Sequence, residues 1–179
     1  SMDPIVSNEF IDDTGCGNDI ENPPDKYNSI KLFRCKHAKN LIFSHLNVNS
    51  LYPKFLEVKH ILDNGFVDVF ALSETKLDSS FPLSQFFVPN YTLHRLDRSR
   101  HGGGLCFYVR SHLPHTIRKE LSFNADGIES ITLEVIINKE KLFFINIYRP
   151  PNIASQHLKS AINFMSQKCL CESRTIFIL

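Results

Sequence analysis

Between residues 41 and 74, the spacing of apolar residues is typical of a strand, then a helix, then a second strand. Two strand-length apolar runs occur at 41–47 and 66–74, and the second is nearly continuous. Between them, apolar residues recur on one helical face: Leu51, Phe55, Val58 and Leu62. A strand, a helix and a strand in so short a segment predict a βαβ unit, whose two strands pair in parallel.

The middle of the chain has a different pattern. Short apolar runs are separated by Gly, Pro, Asn or charged turns, which favours antiparallel strands: YTLHRLD, GLCFYVR, HTIRKELSF, IESITLEVII and KLFFINIY. After RPPN, apolar residues return at helical spacing: Leu158, Ala161, Ile162 and Met165. This helix leads into a final predicted strand at 175–179. The order of elements predicts an α/β fold.

The first 38 residues are rich in Asn, Asp, Gly and Pro and show little periodicity, so we predict a flexible acidic leader at 1–38 and one domain at 39–179. Residues 1–30 carry seven acidic and one basic residue, a net charge of −6, whereas residues 31–179 carry nineteen basic and twelve acidic residues, a net +7. A basic body suits a polyanionic partner, although many soluble domains have this charge without one.

Composition also indicates the compartment. The five cysteines are scattered and form no CxxC pair, which argues against a disulfide framework or a zinc site and favours a reducing environment. No run is apolar enough for a secretory signal or a membrane span. We therefore expect an intracellular protein with no membrane partner.

Three predicted strands end on a polar residue: Asn47, Glu74 and Tyr148. Ligand crevices in α/β sheets form outside the carboxyl ends of strands, so these side chains are candidates for one site. A carboxylate at the end of a buried strand is costly unless it is paired or bound to a cation, and Mg²⁺ often uses one or two protein carboxylates. Each has a plainer interpretation: Glu74 as a solvated partner of Lys76, Asn47 as a turn residue and Tyr148 as a packing residue.

A basic loop follows in HRLDRSRHGGGLCFYVR. It carries Arg95, Arg98, Arg100 and His101 next to three glycines. Arginine contacts to phosphates supply much of the sequence-independent affinity for DNA, and glycine lets the backbone approach closely. The alternative is a solvated hairpin with a glycine bulge.

Four segments, in this order and spacing, resemble the endonuclease domain of non-LTR (LINE-type) retrotransposons: HLNVNSL, DVFALSETKLD, NYTLHRLDRSRHGGGLCFYV and INIYRPPN. That domain belongs to the endonuclease/exonuclease/phosphatase superfamily. The resemblance runs from about Leu41 to the end of the chain. It implies a four-layer α/β sandwich that nicks DNA with a divalent metal, usually Mg²⁺ with Mn²⁺ as the alternative, and without an organic cofactor.

The resemblance also implies roles for single residues. Asn47 matches the asparagine that orients the active-site network, Glu74 the metal-binding glutamate and Tyr148 the tyrosine near the scissile phosphate. Arg149 and Asn152 lie beside it in YRPPN and are candidate DNA contacts without a firm role. The implied partners are DNA and a reverse transcriptase region of the same polyprotein, and the implied location is nuclear during action on DNA.

The sequence departs from this family at its end. In the family, a strand like TIFIL runs into Gly-Asp-x-Asn, whose Asp activates water, and an Asp and an Asp–His pair follow later. We therefore expect a C-terminally incomplete sandwich that folds poorly alone and is inactive as this chain, because such groups act as a unit. Two alternatives remain open: a catalytically dead module that binds nucleic acid or protein, and another phosphoesterase of the superfamily, such as an apurinic endonuclease.

Overall fold

A computed structural model describes residues 26–125, 127–170 and 175–178. Its helices are α1 (Asn28–Lys36), α2 (Leu51–Asp63) and α3 (Ser155–Leu170), with short 3-10 turns η1 (Leu83–Phe86) and η2 (Lys119–Leu121). Its strands are β1 (Phe43–Asn47), β2 (Val69–Ser73), β3 (Tyr91–Leu96), β4 (Leu105–Arg110), β5 (His115–Ile117), β6 (Glu129–Ile137), β7 (Glu140–Tyr148) and β8 (Thr175–Ile178).

These strands form two four-stranded sheets, with the orders β1-β2-β4-β3 and β5-β6-β7-β8. The predicted βαβ unit is confirmed, since β1 and β2 pair in parallel on either side of α2 in sequence. The middle strands pair antiparallel, as their turns predicted. The strand predicted in HTIRKELSF is shorter than expected, because only His115–Ile117 is extended and Lys119–Leu121 forms η2. The final strand is also present as β8, parallel to β7, while Leu179 lies outside the described residues.

The four layers are confirmed as helix, sheet, sheet and helix. Helix α2 covers the outer face of the first sheet, where Leu51 and Leu62 share a core with Leu72. The two sheets pack on each other through a second core that includes Phe107 and Phe144. Helix α3 covers the second sheet with a third core. Because β2 lies between α2 and the second sheet, all five of its residues are buried, which explains its continuous apolar run.

The flexible leader predicted at 1–38 is wrong for its last part, because 28–36 form helix α1. Residues 1–25 lie outside the described residues. Helix α1 fully buries no residue, and only Ile30 packs against the first core, partly buried. Its Arg34 donates from Nε to the Phe66 carbonyl at 3.2 Å and pairs with Asp68 at 2.7 Å. Hydrophobic periodicity cannot reveal such a helix, because no apolar stripe is buried.

Among the cysteines in the described ranges, Cys35 and Cys106 are free thiols, Cys35 exposed and Cys106 buried. Cys16 and Cys171 lie outside the described residues. Within the described ranges, no helix combines the length and apolarity needed to cross a membrane.

Candidate active site

Asn47 and Glu74 lie together at the carboxyl ends of two neighbouring parallel strands. Asn47 is the last residue of β1 and pairs in register with Ser73, so Glu74 follows directly at the same edge. The Asn47 amide Nδ2 donates to Glu74 Oε1 at 3.2 Å, and its Oδ1 accepts from the Asn49 backbone N–H at 3.1 Å. Both ends of the amide are therefore used, and its donor end is directed at the carboxylate.

The backbone around this pair adopts rare conformations. Asn49, Ser50, Glu74 and Lys76 all have positive φ angles, of 43°, 83°, 54° and 52°. Such angles cost energy for residues other than glycine and persist only where surrounding contacts enforce them. One such contact is the hydrogen bond from the Ser50 N–H to the Glu74 carbonyl at 2.8 Å. The two strand ends thus fix each other.

The glycines of the basic loop hold the segment after Glu74. The Thr75 N–H donates to the Gly104 carbonyl at 3.1 Å, and the Lys76 N–H donates to the Gly103 carbonyl at 3.0 Å. Gly104 has a φ of +84°, and a Cβ there would lie 2.5 Å from Thr75 Oγ1. Glycine is required at this position by both its conformation and the close approach.

Tyr148 reaches the same place from the second sheet, as the last residue of β7. Burial and hydrogen bonding to the Glu74 carboxylate raise the pKa of the Tyr148 hydroxyl. The phenol is therefore protonated at neutral pH and can act as a hydrogen-bond donor. The structure thus brings together Asn47, Glu74 and Tyr148, the three residues that the sequence nominated as catalytic.

Sequence reasoning missed Asn146, which links the two sheets below this site. Asn146 is fully buried, and its Nδ2 donates to the carbonyls of Leu72 in β2 at 2.9 Å and Cys106 in β4 at 3.3 Å. Leu72 is two residues before Glu74, and Asn146 is two residues before Tyr148. An amide inside the apolar run FFINIY was the available signal, because buried polar groups are costly unless they are hydrogen-bonded.

Glu129 was also missed. Its Oε2 accepts from the Gly104 N–H at 2.9 Å, and its Oε1 pairs with Arg98 at 2.7 Å. Glu129 also lies opposite Tyr148 in the β6–β7 pair. This carboxylate therefore connects the glycine loop, the arginine and the tyrosine in one network.

The basic residues proposed to contact DNA differ in how exposed their side chains are and in how many contacts they make within the protein. The Arg95 side chain is 7% exposed, pairs with Asp97 at 2.6 Å and donates to the Phe81 and Asp78 carbonyls at 3.0 and 3.2 Å. Its guanidinium is committed to the fold. The Arg100 side chain, by contrast, is 58% exposed, although it pairs with Asp78 at 3.0 Å.

Of the remaining candidates, Arg98 and His101 line an open cavity, whereas Arg149 and Asn152 do not. His101 and Asn152 are exposed, whereas Arg149 is partly buried and donates to the backbone carbonyls of Ile153 and, at 3.4 Å, Pro150. Arg149 therefore shapes its own loop. A cavity of about 280 Å³ is lined by Arg98, Ser99, His101, Gly102, Gly103, Tyr148 and Pro150.

The donor set fits a hard divalent cation better than zinc. No group of three or more His, Cys, Asp or Glu side chains suited to hold a metal occurs within 26–125, 127–170 and 175–178. Glu74 supplies one carboxylate, and its surroundings are amide and hydroxyl groups. Mg²⁺, or Mn²⁺ in its place, can be held by one or two protein carboxylates with water and phosphate oxygens, whereas structural zinc needs four protein ligands.

No protein-family model matches the sequence, and no curated protein matches it. Solved structures do match. The 3′ phosphatase NExo from Neisseria, bound to product DNA hairpin, aligns with a TM-score of 0.56 and 15% identity over 78% of this chain and 56% of its own. TDP2 of D. rerio, complexed with single-strand DNA product, aligns with a TM-score of 0.55 and 14% identity over 77% and 58%.

The endonuclease domain of TRAS1, a telomere-specific non-LTR retrotransposon, aligns with a TM-score of 0.51 and 10% identity over 73% of this chain and 54% of its own. The chain thus spans a little over half the length of these proteins. Their sequence identities with this chain are only 10–15%, so the likeness concerns the fold alone. The described part of this chain therefore has a four-layer α/β fold of the endonuclease/exonuclease/phosphatase type.

Proposed function

We propose that this chain contributes the metal-binding part of a DNA-nicking phosphodiesterase site centred on Glu74. The observation that carries the proposal is the convergence of Asn47, Glu74 and Tyr148 from three strands in two sheets. A divalent ion bound there would supply Lewis-acid stabilisation of charge on the phosphate and a more acidic water.

The side chains have distinct roles in this proposal. Asn47 fixes the rotamer of the Glu74 carboxylate through its 3.2 Å hydrogen bond. Tyr148 keeps its proton and donates a hydrogen bond to a phosphate oxygen as negative charge develops there. Arg98, Arg100 and His101, at or near the open cavity, lie against the DNA backbone and offset its charge.

The proposal also concerns the source of the chain. The tight packing of Gly104 on Thr75 gives the HGGGL segment a physical role, and this segment supports a retrotransposon endonuclease. A reverse transcriptase region of the same polyprotein and a nuclear location during action on DNA belong to that proposal. Since the described residues include no group of three or more His, Cys, Asp or Glu side chains suited to hold a metal, we expect the 179-residue chain to bind the ion weakly and to nick DNA little or not at all.

The test separates metal binding from cleavage. Electron paramagnetic resonance measures Mn²⁺ bound to the chain, and a supercoiled plasmid measures nicking in Mg²⁺. Glu74→Gln should abolish the bound Mn²⁺ signal at the site and any nicking. Glu57→Gln, an exposed glutamate on α2 paired with Lys26, is the matched control and should change neither. Equal Mn²⁺ binding by both variants would remove Glu74 from the metal site and defeat the proposal.

A catalytically inactive DNA-binding module is the second candidate, favoured because the described residues hold no group of three or more metal-ligating side chains. If binding is the function, Glu74→Ala should leave DNA affinity in EDTA almost unchanged while the plasmid remains uncut at any Mg²⁺ concentration. Oligonucleotides with and without an abasic nucleotide distinguish the apurinic endonuclease alternative, because only that enzyme would prefer the abasic duplex.

A further inference from the structure

A cavity separate from the one beside Tyr148 lies at the free edge of β3. Among the described residues, no strand pairs with the outer side of β3, which ends the first sheet. A cavity of about 430 Å³ is lined by the consecutive residues Leu93, His94 and Arg95. Successive side chains of a strand point to opposite faces, so a cavity that meets all three must wrap around the strand edge. A ligand in it would reach the unpaired backbone of β3.

A second cavity, of about 460 Å³, continues this groove on the helix side of the sheet. Leu83 and Leu93 line both cavities, so the two cavities adjoin each other. The second cavity is also lined by Phe87, Val88 and Tyr91. Leu83 is 62% exposed and Phe87 63% exposed, which is unusual for large apolar side chains that sit side by side. This half of the groove therefore suits an apolar side chain.

The other half of the groove carries unbalanced positive charge. Arg95 and Asp97 line it but satisfy each other through hydrogen bonds of 2.6 and 2.9 Å. Lys119 lines it too, and its side chain makes no hydrogen bond or ion pair with the described part of the chain. The buried Nε2 of His94 likewise has no partner there. A carboxylate would pair with Lys119, and it would accept a hydrogen bond from His94 in the tautomer that carries the proton on Nε2.

We propose that the free edge of β3 binds an extended peptide segment of a partner protein as an added strand. Its acidic side chains would face Lys119 and His94 between the sheets, and its apolar side chains would lie against Leu83 and Phe87 on the helix side. Both requirements are met by one sequence pattern, in which acidic and apolar residues alternate. Strand addition at an open edge, with pockets for alternate side chains, is an established mode of peptide recognition.

Exposed aromatic and basic side chains could instead favour single-stranded nucleic acid. The observations favour a peptide, because the groove follows an unpaired strand edge and its helix side is apolar rather than cationic. Nucleic acid is therefore an outcome that the experiment has to exclude.

The experiment uses the full 179-residue chain and fluorescent peptides of alternating Asp and Leu, Val or Phe. Fluorescence polarisation should show saturable binding, weakened about tenfold by Lys119→Glu and by Phe87→Glu, as expected for loss of one important contact. Lys159→Glu, an exposed lysine on α3, and Leu56→Glu, an exposed apolar residue on α2, are the matched controls. Circular dichroism melts verify that each variant is folded.

Backbone pairing needs its own control. The same peptide methylated on alternate backbone nitrogens keeps its side chains but cannot donate ladder hydrogen bonds, and it should not bind. Equal binding of the methylated peptide would overturn strand addition. Absence of saturable binding by every alternating peptide would overturn the site. Displacement of the peptide by a single-stranded oligonucleotide, with the same loss in the Phe87 and Lys119 variants, would assign the groove to nucleic acid.

Discussion

Asn146 in β7 donates a 2.9 Å hydrogen bond to the carbonyl of Leu72 in β2, although 74 positions separate the two residues. The bond crosses between the sheets below the candidate active site. Since Glu74 and Tyr148 each follow these residues by two positions on their strands, the bond fixes one relative to the other. The site therefore depends on an amide that no ligand would touch.

Two substitutions of Asn146 should separate its contribution to the stability of the fold from its effect on the relative positions of Glu74 and Tyr148. Asn146→Ala removes two hydrogen bonds and leaves a cavity, so urea denaturation should show a loss of about 2–3 kcal/mol in unfolding free energy. Asn146→Leu should cost less than Asn146→Ala, because it fills the space and removes the buried, unpartnered Oδ1, while the Leu72 and Cys106 carbonyls lose the same donor in both variants.

The leucine variant should nevertheless disturb the site. Without the bond to Leu72, the contact between Tyr148 and Glu74 should weaken and the pKa of Tyr148 should fall, as followed by NMR of labelled tyrosine. An unchanged pKa in a folded Asn146→Leu variant would show that packing alone aligns the two sheets.

Two glycines of the basic loop, Gly102 and Gly104, should differ sharply in how well they tolerate substitution by alanine. Gly104→Ala forces an alanine to a φ of +84° and its Cβ to 2.5 Å from Thr75 Oγ1, so we expect a loss of about 1–3 kcal/mol. A Cβ at Gly102 meets nothing within 4 Å, and Gly102→Ala should change stability by less than about 0.5 kcal/mol. Thermal melts compare the two variants, and equal melting temperatures would contradict the close packing of Gly104 against Thr75.

The ionisation of Tyr148 should respond to the charge of Glu74. The carboxylate disfavours the phenolate, and together with burial it raises the pKa of Tyr148. Glu74→Gln removes the negative charge, so the pKa of Tyr148 should fall and the phenolate should form at lower pH than in the parent chain. Tyr91, whose pKa burial raises to about 12, is the internal control and should not respond. A Tyr148 titration identical in both proteins would place the two groups too far apart to interact.

Substitution of Arg95 should lower the stability of the fold, whereas substitution of Arg100 should weaken DNA binding. Arg95→Gln leaves Asp97 and two backbone carbonyls without their partner, so denaturation should show a loss of about 2–3 kcal/mol. Arg100→Gln loses an exposed ion pair and should cost less than about 1 kcal/mol. In DNA binding, Arg100→Gln should instead reduce the slope of log affinity against log salt by about one. A stable Arg95→Gln variant with weakened DNA binding would show that Arg95 does contact the phosphates.

The sequence by itself determined the elements and much of their pairing. Periodicity distinguished α2 and α3 from the strands because each helix buries one face, and the apolar run of β2 reflected burial on both faces. Turn residues indicated the antiparallel strands. Local patterns also marked Asn47, Glu74 and Tyr148, because a polar residue at the end of an apolar strand is visible without any knowledge of its neighbours.

Only the tertiary structure decided which residues meet and which are free. Helix α1 docks through the polar contacts of Arg34 and one partly buried side chain, Ile30, which is too little to produce an apolar pattern. Arg95 and Arg100 look alike in the sequence, yet one guanidinium is enclosed by carbonyls and the other faces solvent. Asn146 and Glu129 acquire their roles from partners far away in the chain. Hydrogen bonds and ion pairs depend on distance and direction in space, and a one-dimensional pattern records neither.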